Sequence, residues 1–167
     1  CLGQEVDADL AGVTVARLWL HGHPEGSVAV GDSLLANGHP TAKVRAVVCN
    51  LPFGQRDWGR TQLGYDTRWT YGLPPNGEPE LAWVQHALAH LDHGGRAVLL
   101  MPAAAAARPS GRRIRAELVR RGALRAVVAL PSGSTTTHSL GTHLWLAQTG
   151  ESPDTHDVLF VDAEMVL

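Results

Sequence analysis

The sequence predicts an α/β protein built on a mostly parallel sheet with helices on both faces. Two observations carry that expectation. Strand-like segments alternate with helix-like ones along the chain, the order that winds successive strands in one direction. The strand segments at 97–101 (AVLLM) and 126–130 (AVVAL) are apolar throughout, as strands are when both of their faces are covered.

Taken in order, Asp7 to His21 reads as a helix that Asp7 or Asp9 can cap, with Leu10, Val13, Arg17 and Leu20 on one side and Gly22 as the stop. Ser27 to Val30 is a short strand ending at Gly31-Asp32, and Arg45 to Cys49 is a second strand ending at Asn50. Leu51 to Pro79 mixes glycine, proline and aromatics without periodicity and reads as a long functional loop. Glu80 to Asp92 is a helix, because Leu81, Val84, Leu88 and Leu91 repeat at three-four spacing. Arg96 to Met101 is a strand stopped by Pro102, with a helical turn in Ala103 to Ala107. Ser110 can cap a helix to Arg121, and Leu124 to Leu130, Ser139 to Ala147 and Val158 to Val161 complete the strands.

Composition narrows the function. The 167 residues suffice for one domain with a core, and 44% hydrophobic against 18% charged residues describes a globular chain. A net charge of −2 excludes binding nucleic acid through bulk charge alone. Lys43 is the only lysine, so almost every cation is arginine. Cys1 and Cys49 make no disulfide framework, no leader peptide opens the sequence, and no apolar run could span a membrane. A cytoplasmic protein is expected. The start at Cys1, without Met, reads as a piece of a longer chain.

The chemistry concentrates in V-V-C-N-L-P-F-G, residues 47–54. In a parallel α/β sheet, ligands gather beyond the carboxyl ends of the strands, and Asn50 stands at such an end. Its side-chain oxygen and the Leu51 carbonyl, directed by Pro52, make a pair of acceptors suited to an exocyclic amino group. Phe53 offers a flat face for a planar ring. A base taken out of a nucleic acid stack satisfies both. The plainer reading makes Asn50 a turn residue and Phe53 a core residue.

The order Gly3-Gln4-Glu5, R-L-W-L-H-G, V-G-D-S-L-L, N-L-P-F-G, Y-G-L-P, W-V-Q-H-A-L-A-H-L, G-G-R-A-V-L-L-M-P, I-R-A-E-L-V and V-L-F-V-D-A resembles the adenine-N6 DNA methyltransferases, above all the modification subunit of type I restriction–modification systems. The resemblance runs through nearly the whole chain. It implies a Rossmann-like, S-adenosylmethionine-dependent fold, with residues 1–167 a partial catalytic domain truncated at its N-terminus, where the Gly-rich cofactor loop and first strands would precede Cys1. It implies Asn50, Leu51, Pro52 and Phe53 as the catalytic stretch, Glu5 on the cofactor's ribose hydroxyls, and Asp32 with Ser33 and Leu34 at its adenine. It implies as partners DNA with a flipped adenine, a DNA-specificity subunit and a restriction subunit. Leu51 stands where that family has its first proline, and Arg45 where it often has aspartate.

Two other readings stand beside it: a degenerate, non-catalytic module for assembly or DNA contact, and methylation of a glutamine side chain or an RNA base. His86, His90 and His93 fall at i, i+4 and i+7 of the predicted helix, but a solvated helix face outweighs a metal site, and no metal is expected. On the 110–121 helix, Arg113 and Arg121 are expected to pair with Glu117, a solvated ion-pair face being favoured over phosphate contact. Trp58, Tyr65, Trp69 and Tyr71, interleaved with Arg56, Arg60 and Arg68, either grip a displaced strand or collapse into a local cluster.

Overall fold

The computed structural model describes residues 1–134, 141–150 and 157–163. They form two units, Cys1–Ala42 and Lys43–Leu167. In the first unit, β1 (Leu2–Glu5) and β2 (Ser27–Val30) pair in parallel, from Leu2 opposite Ser27 to Glu5 opposite Val30. The helix α1 (Ala8–Leu20) joins them, and Asp7 is its cap, accepting from the Asp9 and Leu10 N–H groups. Only Ala11 of this helix is buried, whereas Leu10, Val13, Trp19 and Leu20 are exposed. The expected apolar side thus faces solvent.

The strand β1 is an addition to the sequence reading. Its Leu-Gly-Gln-Glu segment has no β-branched residue, and pairing with β2 makes it a strand.

The second unit holds a five-stranded sheet of β3 (Val44–Asn50), β4 (Leu91–Pro102), β5 (Leu124–Ala129), β6 (Thr142–Gln148) and β7 (Leu159–Asp162), in the order β3-β4-β6-β5-β7. β3 runs parallel to β4 and β5 to β7, but β6 lies antiparallel to both of its neighbours. The sheet is mixed, which corrects the mostly parallel expectation. Insertion of β6 between β4 and β5 reverses direction without changing how apolar those strands must be, because burial depends on the covering layer and not on strand polarity. β3 sits at the sheet edge and is largely exposed, with Val48 at 85%.

The core gathers Leu81, Val84 and Leu88 of α2 (Pro79–Ala89), Ile114 and Leu118 of α3 (Arg112–Arg120), and Leu99, Met101 and Trp145 of the sheet. The helix α2 stops earlier than its periodicity predicts. His90 caps it, the Lys43 ammonium donates to the Ala89 carbonyl, and Val44 N–H donates to the His90 carbonyl. Leu91 consequently opens β4 opposite Val44. Ser110 is not a helix cap: it lies in a 3-10 turn, Pro109–Gly111, and its hydroxyl donates to Glu78 Oε1 at 2.5 Å. The expected helical turn after β4 is present as a 3-10 helix, Ala103–Ala106. The predicted strand from Ser139 begins in residues outside the described set. Among the described residues, no helix is long and apolar enough to cross a membrane.

Candidate functional site

The chain leaves β3 at Asn50, whose side chain is exposed at the strand's end. Leu51 turns inward and is fully buried in the core formed by Leu81, Val84 and Leu99. Burying a leucine contributes about 1.5–3 kcal/mol, so this side chain pegs the loop where a proline would have locked its backbone. Pro52 is exposed and Phe53 is half-buried against the core. Gly54 follows at φ +62°, in the left-handed region that glycine enters without strain, and its N–H donates to Glu80 Oε1 at 3.0 Å. Burial pushes the thiol of Cys49, just before Asn50, up to about 11. It stays protonated near neutral pH and offers no competing nucleophile.

The loop, which ends at Glu78 because Pro79 already opens α2, has no regular secondary structure, but it is packed. Gln85, fully buried on α2, accepts from Tyr71 N–H at 2.9 Å and donates to the Gly72 carbonyl at 2.8 Å. Trp58 is buried edge-on to Trp69, with centroids 5.6 Å apart, and the Arg68 guanidinium lies 5.2 Å from the Trp69 ring. Collapse therefore describes Trp58 and Trp69, whereas Tyr65 is fully exposed.

Arg68 also donates to both oxygens of Asp66 and lies 2.8 Å from His86 Nδ1. Bonding to Arg68 lowers the Asp66 carboxyl below its ordinary range. Burial first, then the charges of His90 and Arg68, lower His86 to about 3. His86 packs edge-on against His90 at 4.8 Å, while His93 lies on β4 and not on the helix. Among the described residues no group of side chains is arranged for a metal. Glu117 pairs with Arg121 at 3.3 Å, as expected, and with Arg120 in place of the expected Arg113; Arg121 itself lies over the Tyr71 ring at 5.4 Å.

The first unit carries Glu5, Asp32, Ser33 and Leu34. Glu5 ends β1 opposite Val30, and Gly31 N–H donates to the Glu5 carbonyl. Asp32 therefore leaves the same edge of the two-stranded sheet. Its Oδ1 accepts from Leu34 N–H at 2.8 Å and Leu35 N–H at 3.1 Å, shaping a turn that buries Ser33 and Leu34. Gln4, which the sequence did not single out, staples that turn: it donates to the Gly31 and Ala36 carbonyls and accepts from Gly38 N–H. Gly38 is required by close approach, since a Cβ there would stand 2.4 Å from the Ala29 Cβ. Glu80 and Gln85 were also missed as loop anchors. Only Gln85 left a signal, a polar residue between Leu81 and Leu88 on the apolar helix face.

Residues 1–166 match the family model described as N-6 DNA Methylase. Among curated proteins, the methylase subunit of type I restriction enzyme HindI from Haemophilus influenzae is 28% identical over 81% of this chain. The MjaIX methylase subunit from Methanocaldococcus jannaschii is 28% identical over 97% of it. The chain spans only 31% and 30% of those two proteins. Among solved structures, the type I restriction–modification methyltransferase subunit from Streptococcus thermophilus superposes with a TM-score of 0.87 at 22% identity, over 98% of this chain and 36% of that one. The type I restriction enzyme EcoKI M protein superposes at 0.69 and 19% identity, over 96% of this chain and 35% of its own.

Proposed function

The chain belongs to the N-6 DNA methylase family, and from that membership we propose that the complete protein is the modification subunit of a type I restriction–modification system, methylating adenine N6 in DNA. Residues 1–167 are then part of its catalytic domain. The observation that carries the reading is the family match across residues 1–166.

The carboxylates of the first unit suit S-adenosylmethionine. Glu5 and Asp32 follow neighbouring parallel strands at one sheet edge, and carboxylate oxygens are apt acceptors for ribose hydroxyls and for an adenine amino group. In this reading Glu5 holds the ribose and Asp32 the adenine, with Ser33 and Leu34 beside it. The bound cofactor supplies an electrophilic methyl group on a sulfonium.

In the second unit, the Asn50 side-chain oxygen and the Leu51 carbonyl accept the two hydrogens of the target adenine's amino group. That grip draws the nitrogen lone pair out of conjugation and offsets the positive charge that develops as the N–C bond forms and the methyl's bond to sulfur breaks; the nitrogen then releases one hydrogen to solvent as a proton. Phe53 stacks on the displaced base. Leu51 supplies the same carbonyl that a proline would, because its buried side chain holds the backbone by packing. Sequence recognition is assigned to a separate DNA-specificity subunit and cleavage to a restriction subunit, a division that fits relatives named as methylase subunits of type I restriction enzymes.

The test is methyl transfer from labelled S-adenosylmethionine to DNA by the complete protein with its specificity subunit. Asn50→Ala is expected to abolish incorporation while cofactor binding persists. Incorporation that survives this substitution overturns the assignment.

A further inference from the structure

The Asn50–Phe53 stretch is fastened at both ends, by the Leu51 side chain and by the Gly54 N–H. The second fastening comes from Glu80, in the first turn of α2. Glu80 is completely buried, and so is Glu78, two residues earlier. A carboxylate removed from water needs charge-assisted partners. Glu80 has two: Gly54 N–H on Oε1 at 3.0 Å, and Arg108 Nη1 on Oε2 at 3.0 Å. Arg108 also faces Glu78 Oε2 at 3.7 Å, while Ser110 Oγ donates to Glu78 Oε1.

Arg108 is itself fixed from behind. Arg115 of α3 donates to the Arg108 carbonyl at 2.7 Å and to the Ala105 carbonyl at 3.1 Å. Gly111 completes the cradle, since a Cβ there would stand 2.6 Å from Leu81 Cδ1, 2.7 Å from Arg115 Nη1 and 3.1 Å from the Glu78 carboxyl carbon. This ionic group, its two carboxylates buried and the Arg108 side chain 33% exposed, is therefore built from three segments: the start of α2, the turns after β4, and α3. It bonds to the 50–54 stretch through the Gly54 N–H.

We propose that Glu80 is a positioning residue for the methyl-transfer loop, with Arg108 as the partner that holds its carboxylate on Gly54 N–H. The proposal rests on the functional reading of Asn50–Phe53 given above. Phe53 packs against the core, but Gly54 is exposed, has no side chain to pack and sits at φ +62°, so its peptide N–H needs another hold. The carboxylate supplies it. It sets where the Phe53 face and the preceding carbonyl stand relative to the reacting amine. A displacement of about 1 Å in such a constellation can cost on the order of a hundredfold in rate.

The experiment uses the complete protein with its specificity subunit. Glu80→Leu removes the acceptor, and Glu80→Gln retains an acceptor oxygen. Turnover is expressed per S-adenosylmethionine-binding site, so that a loss of folded protein does not count as a loss of kcat. Glu80→Leu is expected to lower kcat per site about a hundredfold with the KM for S-adenosylmethionine within about twofold of wild type, and Glu80→Gln to recover most of that loss. Equal turnover per site in Glu80→Leu and wild type overturns the proposal, as does an equal loss in both variants.

Should Glu80→Leu fail to fold, amide exchange at Gly54 in the unmodified protein decides. Exchange slowed about tenfold or more against an unstructured glycine supports the bond, and free exchange overturns it. Asn50→Ala is run in parallel. If it retains activity, the functional reading fails, whatever Gly54 exchange shows; if it is dead while Glu80→Leu is unaffected, only the present proposal fails.

Discussion

Gln85→Leu tests how the 51–78 loop is held. The substitution preserves the buried volume but removes both bonds to the loop backbone, leaving Tyr71 N–H and the Gly72 carbonyl without their partner. An unsatisfied buried polar group costs about 1–3 kcal/mol, and each 1.4 kcal/mol is tenfold in an equilibrium. Tyr71 is half-buried, so part of that cost is recovered when the loop shifts toward water. A net loss near 2 kcal/mol corresponds to an opening equilibrium favoured by about thirtyfold. Hydrogen exchange on the complete protein reads this directly: the Tyr71 and Gly72 amides should exchange about thirtyfold faster in Gln85→Leu, while the β4 amides keep their protection. Gln85→Glu should be no better at Gly72, because it replaces the donor with a second acceptor facing a carbonyl. Unchanged exchange at Tyr71 would show that Trp58 and Trp69 hold the loop without Gln85.

Further outcomes follow from charge and close approach. His86 is half-buried, and desolvation depresses it to about 3, against about 6.5 in an unfolded chain. The unfolded state therefore binds the extra proton first, so the His86 contribution is complete above pH 6.5 and is lost as pH falls from there toward 3. Denaturant midpoints should drop across that window, and His86→Gln should flatten the drop. Gly38→Ala forces a methyl group to within 2.4 Å of the Ala29 Cβ. Such overpacking costs about 1–3 kcal/mol, and calorimetry should show weaker S-adenosylmethionine binding, since Gly38 N–H bonds the Gln4 that staples the Asp32 turn.

Much of this architecture was legible in the sequence because periodicity reports burial. Leu81, Val84 and Leu88 repeat as a helix face, and all three lie in the core. Strand polarity was not legible. Ala97 to Met101 looks the same whether its neighbour runs with it or against it, and β6 runs against it. The end of α2 was missed because Leu91 continues the helical spacing, while the Val44 bond that ends the helix comes from far away in the sequence. At the candidate site, Asn50 at a strand end could be read in advance, because a strand's termination is local information. Glu80 looked like an ordinary acidic residue in a first helical turn. Only the fold brings it against Gly54 and Arg108.

The leucine at position 51 has a consequence beyond its own neighbourhood. A pyrrolidine ring restrains its backbone by covalent means, indifferent to what surrounds it, whereas a peg is only as firm as the wood it is driven into. Remote lesions that loosen the interior, such as a cavity opened beside Leu99 or Trp145, should therefore shift the Asn50–Leu51 backbone well before the molecule melts. Under the proposed function, heat or crowding mutations would then erode methyl transfer before they erode the fold.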